Sequence, residues 1–349
     1  MSWIRESTLN CLQYLAVKIL KSGQIPKHVA FIMDGNRRYA NKNHLEKING
    51  HTQGFHKLTE TLQWCLDLGI PEVTVYAFSI ENFKRSKEEV NGLMELARQK
   101  FQSLLDEKEK LMEYGICVRI IGNLELLPED LRKLVAEAII ITKNNNKAFL
   151  NIAFAYTSRD EITHAIKDIL RGIKNADLLP EDINEDLISK CLYTYNSPNP
   201  DLLIRTSGEI RLSDFLIWQV SNSCIYFADV LWPEFSAWDL LGAIFYYQRC
   251  YTNLQTIAKA QNITNYNKYV FHLIYFPYTV LLIFLYLFLF SFLSKIFTHA
   301  VYMFYLFVML SSNIYIIGNN INEDYKNINR TIKNYSQAKN WQLRITCMY

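Results

Sequence analysis

Six short apolar runs recur along the chain, and apolar residues with helical spacing lie between most of them. The runs are four to six residues long and cover residues 29–33, 73–78, 116–121, 149–154, 202–205 and 225–229. Apolar runs of this length are typical of strands buried on both faces, and strands that alternate with helices favour a parallel sheet. We therefore predict an α/β fold with a mostly parallel central sheet of about six strands flanked by helices.

Polar segments follow predicted strands at residues 34–39, 79–85 and 205–214. Because ligands of parallel sheets bind beyond the carboxyl ends of the strands, these segments are expected to form one site. The first segment combines Asp34, Gly35 and Asn36 with two arginines. Free N–H groups at a helix start, arginine side chains and a carboxylate suit a diphosphate with a divalent cation. The alternative is an ordinary turn with solvated arginines, since Asp, Gly and Asn are common turn formers.

A long amphipathic helix is predicted after Arg85. Ser86 and Glu89 have the spacing of a capping box, and Gly115 is the expected stop of the helix. The apolar residues between them occupy one face: Val90, Leu93, Met94, Ala97, Phe101, Leu104 and Leu105. This face suits an ordinary protein core. It could also enclose a long apolar tunnel, together with the face of an earlier helix that carries Phe55, Leu58, Leu62 and Cys65.

The end of the chain differs in composition from the rest. No Asp, Glu, Lys or Arg lies between Lys268 and Lys295, and residues 300–317 form a second uncharged stretch. These stretches predict a transmembrane hairpin over residues 271–317, followed by a polar, Asn-rich tail over residues 318–349 on the cytosolic side. The alternative is a translated non-coding segment, because Phe, Tyr, Ile, Leu and Asn are the residues that AT-rich codons encode.

Residues 1–25 are predicted to form an amphipathic surface helix, which precedes a main domain over residues 26–260. Apolar side chains such as Leu12 and Leu15 are interspersed with Arg5 and Lys18, which suits contact with a membrane surface. The segment lacks the continuous apolar core of a secretory signal. A helix that simply docks on the main domain is an equal alternative.

Charge and cysteine content narrow the possible partners and compartment. A net charge of +3 is too small to favour a nucleic-acid partner. Seven cysteines without any C-x-x-C pair favour free thiols in a reducing compartment over a disulfide framework or a zinc site. The main domain is therefore expected to face the cytosol.

Three motifs resemble those of the cis-prenyltransferase family, which includes undecaprenyl diphosphate synthases. They are the segments at residues 34–39, 73–85 and 203–215, in that order. The match is strongest to the eukaryotic dehydrodolichyl diphosphate synthase branch and extends from Ser2 to about Tyr251. It implies the fold of that family and Mg²⁺-dependent addition of isopentenyl diphosphate to farnesyl diphosphate. The implied product is a long polyprenyl diphosphate, the precursor of dolichol for protein glycosylation. The Asp-Asp-x-x-Asp metal motif of the trans-type prenyl synthases is absent from the sequence.

The resemblance assigns the allylic diphosphate to the first motif. The implied ligands are the backbone amides of Gly35, Asn36, Arg37 and Arg38, with the side chains of Arg38, Lys47, His51 and Arg85. Asp34 is the implied Mg²⁺ ligand. A lone histidine at a helix start, such as His51, is alternatively a cap or a surface residue.

The resemblance assigns isopentenyl diphosphate to Arg205, Arg211 and Ser213. Phe78, Ser79 and Asn82 are implied to position its carbon chain and to help the proton leave. The catalytic candidates are thus Asp34, Asn36, Ser79 and Asn82. The alternative for the two arginines is a surface salt bridge to Glu209.

Departures from the family pattern suggest that the chain works with a partner. Lys47 stands where relatives place an arginine, and Cys224 replaces a glutamate that assists the metal in homodimeric bacterial members. The Arg-x-Gly segment that reaches a neighbouring active site is absent. We expect a dimer with a Nogo-B-receptor-like subunit that donates the missing arginine. The resemblance implies that this complex lies at the endoplasmic reticulum membrane.

Two other functions are compatible with parts of the sequence. A non-catalytic scaffold subunit of the same fold would lack the metal aspartate and the turn arginines, whereas Asp34, Arg38, Arg205 and Arg211 are present. A membrane transporter would rest on residues 271–317 alone, where two short spans without an ionisable pair make a poor conduit.

Overall fold

Six parallel strands form the central sheet in the described part of the chain. The computed structural model describes Trp3 and residues 8–256, and the strands are β1 (His28–Ile32), β2 (Glu72–Ser79), β3 (Ile116–Ile121), β4 (Ala148–Tyr156), β5 (Leu202–Arg205) and β6 (Cys224–Phe227). They lie in the order β3-β4-β2-β1-β5-β6, and each neighbouring pair is parallel. Every predicted run overlaps an observed strand, so the predicted α/β sheet is confirmed.

Helices connect the strands. They are α1 (Cys11–Leu20), α2 (Asn36–Lys42), α3 (Lys47–Leu68), α4 (Lys87–Asp106), α5 (Lys108–Tyr114), α6 (Glu129–Thr142), α7 (Ser158–Lys174), α8 (Glu185–Cys191) and α9, whose described part covers residues 237–256. Helices α2 and α3 both lie between β1 and β2, so the chain from the first polar segment returns to the sheet through a pair of packed helices.

The two faces of the sheet bury separate apolar clusters. Phe31 and Ile204 belong to the larger cluster, which includes side chains of α3, α4, α6 and α9. Ile32, Leu203 and Phe215 belong to the smaller cluster on the other face. Neighbours such as Phe31 and Ile32 lie in different clusters because side chains alternate across a strand. The sheet is therefore buried on both faces, as its continuous apolar runs predict.

The segment after Arg85 contains two helices where the sequence predicts one. Helix α4 ends at Asp106 and α5 begins at Lys108, with Glu107 between them at φ −99° and ψ 18°. The Glu107 carboxylate accepts hydrogen bonds from the backbone N–H of Trp3, 104 residues away in the sequence, at 3.1 and 3.2 Å. Periodicity could not reveal a break that coincides with so distant a contact. Gly115 ends α5 in the left-handed conformation, as predicted.

The helical part of the described N-terminal segment begins only at Cys11. Asn10 caps α1 reciprocally with Gln13, with both hydrogen bonds at 2.9 Å, which explains the start of the helix there. Trp3 lies outside a helix and is buried, with its indole N–H donating to the Lys100 carbonyl at 2.8 Å. The observed helix α1, Cys11–Leu20, is thus shorter than the helix predicted over residues 1–25.

The outer face of α1 is apolar. Leu12, Leu15 and Ile19 are 68%, 54% and 63% exposed, and Lys18 on the same helix is exposed as well. In the described residues, no helix is both long and apolar enough to cross a membrane. The predicted hairpin over residues 271–317 and the tail over residues 318–349 lie outside the described residues.

Helix α2 packs closely against α3 because two residues of α3 have no side chain. A Cβ atom on Gly50 would lie 2.3 Å from the backbone oxygen of Asn36, and one on Gly54 would lie 2.2 Å from Asn36 Oδ1. Both distances are far below van der Waals contact. The two glycines therefore allow the approach that holds α2, with its arginines, at the end of β1.

Gly50→Ala is expected to lower the free energy of unfolding by about 1–3 kcal/mol, because the new methyl group must push α2 away from α3. Gly92→Ala is the matched control, since its Cβ would meet only Ile48 Cδ1 at 3.5 Å. In the interior of α4 that change should stabilise by up to about 1 kcal/mol. Urea unfolding of both variants checks the prediction. Equal stability changes in the two would contradict the packing account.

Candidate active site

The turn after β1 is held by the end of β5. The hydroxyl of Thr206 donates to the Asp34 carbonyl at 2.7 Å and accepts from the Asp34 N–H at 3.0 Å. The N–H of Trp232 donates to the same carbonyl at 3.0 Å. In the sheet, Ile32 is paired with Arg205, so the polar segments that follow these two residues meet beyond the strands. This contact brings the first and third motifs together.

Gly35 begins α2 in a conformation that side chains disfavour. Its φ is 113°, and a Cβ atom there would lie 3.1 Å from Leu231. Because Gly35 has no capping side chain, the first N–H groups of α2 can bind another acceptor. The Asn36 side chain turns toward α3 instead, where its Oδ1 is buried without a hydrogen-bond partner in the described residues.

Arg205 is the buried cation of the site. Its side chain is 3% exposed, and its Nη2 donates to Asp34 Oδ2 at 2.9 Å. Its Nη1 donates to Ser213 Oγ at 2.7 Å and to the Arg211 carbonyl. A guanidinium this buried is tolerated only where an anion and acceptors surround it. Arg205 therefore links the predicted metal ligand to the predicted isopentenyl diphosphate ligands.

Glu209 joins Arg38 to Arg211. Arg38 Nη2 lies 3.2 Å from Glu209 Oε1 and 3.5 Å from Asp34 Oδ2, while Arg211 pairs with Glu209 Oε2. The predicted salt bridge between Glu209 and an arginine thus exists, for Arg211 and not for Arg205. Arg38 and Arg211 remain about half exposed, so a ligand can reach their outer faces. Surface pairs of this kind are weak and exchange easily for a stronger anion.

A second cluster of cations surrounds Glu89, a residue expected to act only as a helix cap. Its carboxylate lies 3.0 Å from Arg85 Nη1, 3.5 Å from Lys47 Nζ and 3.9 Å from Arg37 Nη1. Glu89 is 8% exposed. Its backbone N–H donates to Ser86 Oγ at 3.3 Å, which is one half of the predicted capping box, whereas its carboxylate binds the cations instead of the Ser86 N–H. The spacing of Arg85 and Glu89, four residues apart, was the one sequence signal of this cluster.

His51 on α3 lies beside this second cluster. Burial, the Arg85 guanidinium and the Arg37 guanidinium lower its pKa to about 4, although the Glu89 carboxylate opposes them. Its Nε2 is buried without a hydrogen-bond partner in the described residues. The imidazole is therefore neutral and can donate or accept one hydrogen bond to a ligand. This burial disfavours the alternative that His51 is only a surface residue.

Ser79 and Asn82 cap a short helical turn, Ile80–Lys84. The Ser79 N–H donates to Asn82 Oδ1 at 3.0 Å, and Ser79 Oγ accepts from the Glu81 N–H at 3.2 Å. These contacts leave the Asn82 amide hydrogens for another acceptor. The catalytic roles implied for Ser79 and Asn82 stay predictions. Phe78 is 2% exposed and stacked on Phe154 at 5.3 Å, so it can contact hydrocarbon but not a charged group.

An apolar cavity of about 120 Å³ adjoins the polar site. Its lining includes Phe78, Asn36 and His51 from the predicted site, with Phe55 and Leu58 of α3 and Leu93, Ala97 and Phe101 of α4. A second cavity of about 50 Å³ is lined by Leu62, Cys65 and Leu104. Trp3 lines both cavities. The helix faces that could enclose a tunnel therefore do border apolar space.

Cys224 lies away from this site. It is the first residue of β6 and is paired with Leu202, whereas Arg205 at the site is paired with Phe227. Cys224 is 5% exposed in the larger apolar cluster, and burial raises the pKa of its thiol to about 12. The residue is therefore not a neighbour of Asp34, the predicted metal ligand, in its own chain.

Asp34 is the carboxylate that is predicted to hold a metal ion in this site. The described residues contain no group of three or more His, Cys, Asp or Glu side chains that could hold a metal by themselves. Mg²⁺ normally takes one or two carboxylates and completes its shell with substrate phosphates and water. Asp34, 32% exposed, fits a metal ion that enters with a diphosphate. It does not fit a metal held by protein alone.

Comparison with known proteins identifies the family. The family model described as undecaprenyl diphosphate synthase matches residues 32–255. The chain belongs to this family of prenyltransferases. It is 59% identical over 255 residues to the dehydrodolichyl diphosphate synthase complex subunit DHDDS of Homo sapiens. The match covers 73% of this chain and 77% of that protein. The chain is 49% identical over 237 residues to the tritrans,polycis-undecaprenyl-diphosphate synthase (geranylgeranyl-diphosphate specific) of Pyrococcus furiosus. That match covers 68% of this chain and 89% of that protein.

Solved structures of prenyl diphosphate synthases share the fold. Lavandulyl diphosphate synthase from Lavandula x intermedia, in complex with dimethylallyl diphosphate, is 35% identical with a TM-score of 0.61, and the match covers 64% of this chain and 95% of that one. These findings confirm the resemblance drawn from the three motifs. The chain is thus a cis-prenyltransferase, an enzyme and not a scaffold subunit.

The depressed pKa of His51 makes the stability of this prenyltransferase depend on pH. The unfolded chain protonates His51 near its ordinary value of 6.5, whereas the folded chain does so only near 4. The stability that this residue contributes is therefore complete above pH 6.5 and is lost as the pH falls toward 4. Relative to His51→Gln, the free energy of unfolding of the wild type should fall by on the order of 1 kcal/mol per pH unit in that window.

Urea unfolding at pH 7.5, 6 and 5 measures this difference. His44→Asn, at an exposed histidine, is the control and should follow the wild-type pH dependence. Parallel curves for the wild type and His51→Gln would show that the imidazole is not held neutral.

Proposed function

We propose that this enzyme joins isopentenyl diphosphate to an allylic diphosphate and repeats the addition to make a long polyprenyl diphosphate. The observation that carries the proposal is the pair of cation clusters beside Asp34. One contains Arg37, Lys47 and Arg85 around Glu89, and the other contains Arg38, Arg205 and Arg211. Two clusters suit two diphosphates, and the adjoining apolar cavity suits a hydrocarbon chain.

The first cluster suits the allylic diphosphate, together with the Arg38 side chain, which lies 3.5 Å from Asp34 Oδ2. In the reaction, the bond from its first carbon to the diphosphate oxygen breaks, and the diphosphate leaves with the electron pair. Arg37, Arg85 and Lys47 neutralise the charge that develops on it, and Arg85, the most buried of the three, contributes the interaction least screened by water. The neutral His51 supplies a hydrogen bond from the cavity side. Lys47 holds phosphate oxygens as a point charge, without the paired contacts of an arginine.

The second cluster suits the diphosphate of isopentenyl diphosphate. Arg205, Arg211 and Ser213 hold it so that the double bond faces the allylic carbon. The terminal alkene carbon, C4, of the isopentenyl unit forms a bond to the first carbon of the allylic substrate, which leaves positive charge on C3, and a proton is then lost from C2 to form the new double bond. That proton passes to an oxygen of the departing diphosphate, the nearest base that the reaction itself creates. The elongated allylic diphosphate then re-enters the cycle.

Magnesium would be held by Asp34 together with diphosphate oxygens. When bound, it supplies a divalent charge that stabilises the leaving diphosphate. The Asp34 carboxylate has ion pairs with Arg205 and Arg38 that a cation would weaken, so the arginines would turn toward phosphate oxygens instead.

Farnesyl diphosphate is the proposed primer and dehydrodolichyl diphosphate the proposed product, a precursor of dolichol for protein glycosylation. The human relative is named a dehydrodolichyl diphosphate synthase subunit, while the archaeal relative is named geranylgeranyl-diphosphate specific. The higher identity to the human protein, 59% against 49%, supports the first choice. The net charge of +3, too small to favour a nucleic-acid partner, agrees with a small-molecule substrate.

The proposed assembly is a dimer with a Nogo-B-receptor-like subunit at the endoplasmic reticulum membrane, with the catalytic domain in the cytosol. The human relative is named as a subunit of a complex. The exposed apolar face of α1, with Leu12, Leu15 and Ile19, supports membrane contact, because such a face is costly to leave in water.

Activity is tested with labelled isopentenyl diphosphate, farnesyl diphosphate and Mg²⁺, followed by product sizing. The wild-type chain with its partner should form long products. Asp34→Ala should lose at least about 100-fold in rate, since it removes the metal ligand and leaves Arg205 buried without its anion. Asp177→Ala, at an exposed turn residue, is the control and should retain activity. An active Asp34→Ala variant that folds normally would overturn the assigned site.

The partner requirement is tested with the same assay on the chain alone and after addition of a Nogo-B-receptor-like subunit. The chain alone is expected to be weakly active, because it lacks the Arg-x-Gly segment that completes the neighbouring site in homodimers. Addition of the partner should raise the rate about tenfold or more, as expected when one phosphate-binding arginine is restored. Full turnover by a purified homodimer would rule out the requirement.

A further inference from the structure

A strained segment carries the predicted isopentenyl diphosphate ligands. Ser213, Asp214 and Leu216 have φ values of 49°, 60° and 49°, in the left-handed region that side chains disfavour. Such conformations persist only where surrounding contacts hold them. Ser213 nevertheless presents its hydroxyl oxygen to Arg205 at 2.7 Å. The segment must therefore be held from outside, and the holding groups decide where the Ser213 hydroxyl lies.

Asp214 is fixed by the start of α7. Its carbonyl accepts from the Ser158 N–H at 2.7 Å, and its carboxylate accepts from the Arg159 N–H at 3.2 Å and from Arg159 Nε at 2.7 Å. Phe215 is fully buried next to it. These contacts hold the segment after Ser213 but do not touch Ser213 itself.

Tyr76 on β2 does contact Ser213. Its hydroxyl lies 3.1 Å from the Tyr156 carbonyl and 3.4 Å from the Ser213 carbonyl. The hydroxyl hydrogen is therefore shared between the last carbonyl of β4 and a carbonyl of this loop. Its ring is stacked on Phe215, with centroids 4.4 Å apart and planes 12° apart. Tyr76 thus joins the second and third motifs.

An irregularity in β2 places Phe78 on the opposite face of the sheet from Tyr76. Tyr76 is paired with Ala153 and Phe78 with Phe154, so Ala77 is an extra residue on β2. Ala77 and Phe78 both line the apolar cavity, while Tyr76 packs in the cluster on the other face of the sheet. The bulge therefore lets one short stretch serve the cavity on one face and the loop on the other.

The phenol is a hydrogen-bond donor and not a base. Burial is the main cause that raises the pKa of Tyr76 to about 12, with Asp214 and Glu81 adding to it. The group therefore keeps its proton at neutral pH, where the enzyme has to hold the loop.

We propose that the Tyr76 hydroxyl is a positioning group for isopentenyl diphosphate: it fixes the Ser213 carbonyl, and so the place of the Ser213 hydroxyl beside Arg205. The inference rests on the proposed function of the second cluster. It predicts an effect confined to one of the two substrates, because the hydrogen bonds and ring contacts of Tyr76 in the described residues reach Tyr156, Ser213 and Phe215 and not the cluster around Glu89.

The test is Tyr76→Phe, which keeps the stacked ring and removes only the hydroxyl. The KM for isopentenyl diphosphate should rise about fivefold, as expected for one lost neutral hydrogen bond. The kcat and the KM for farnesyl diphosphate should change less than twofold. Initial rates of isopentenyl incorporation, with each substrate varied in turn, measure the split.

Tyr193→Phe is the matched control. Its hydroxyl donates to Asp160 at 3.0 Å, outside the loop, so its loss should leave both KM values unchanged. Thermal unfolding of both variants compares their stabilities. An unchanged KM for isopentenyl diphosphate in Tyr76→Phe, or equal rises in both KM values, would overturn the positioning role. If the wild-type enzyme with its partner were inactive, the proposed function itself would fail.

Discussion

The ion pair between Asp34 and Arg205 is the contact on which the rest of the site depends. A guanidinium with 3% exposure is costly to bury without an anion close by. Asp34 supplies that anion to Nη2 at 2.9 Å, and Ser213 Oγ and the Arg211 carbonyl accept from Nη1. One buried charge therefore ties together the turn after β1, the end of β5 and the loop that follows β5.

The first turn of α2 separates two charged regions. Arg37 and Arg38 are adjacent in sequence, but successive helical residues point about 100° apart, so Arg37 reaches Glu89 while Arg38 reaches Asp34 and Glu209. Each group of cations thus holds a carboxylate of the protein. A diphosphate bound there, as proposed, would exchange one anion for another, so the repulsion among the arginines would stay offset with or without substrate.

The glycines of α3 and the bulge of β2 are the backbone devices that make this arrangement possible. Gly50 and Gly54 let α2 approach α3, and the extra residue Ala77 sends Tyr76 and Phe78 to opposite faces of the sheet. Neither device involves charge, yet both decide where charged side chains and apolar walls meet. The polar site and the apolar cavity are adjacent because the same elements, α3 and β2, border both.

The sequence alone determined the parts of this protein that local physics controls. Continuous apolar runs identify strands buried on both faces, so all six strands were predicted close to their observed positions. Polar residues at the ends of those strands also identified Asp34, Arg205 and Ser213 as members of one site, because parallel strands end at a common edge. The three motifs also sufficed to recognise the family.

The tertiary structure alone decided the partners of each charge. Glu89 has the spacing of a capping residue, and only the approach of α2, α3 and α4 reveals that it collects Arg37, Lys47 and Arg85. Tyr76 is one aromatic residue in an apolar strand until the fold brings Ser213 to it from 137 positions away. The break at Glu107 likewise coincides with a contact from Trp3. Contacts between residues distant in sequence leave no periodic trace, which is why a pattern of apolar and polar positions cannot predict them.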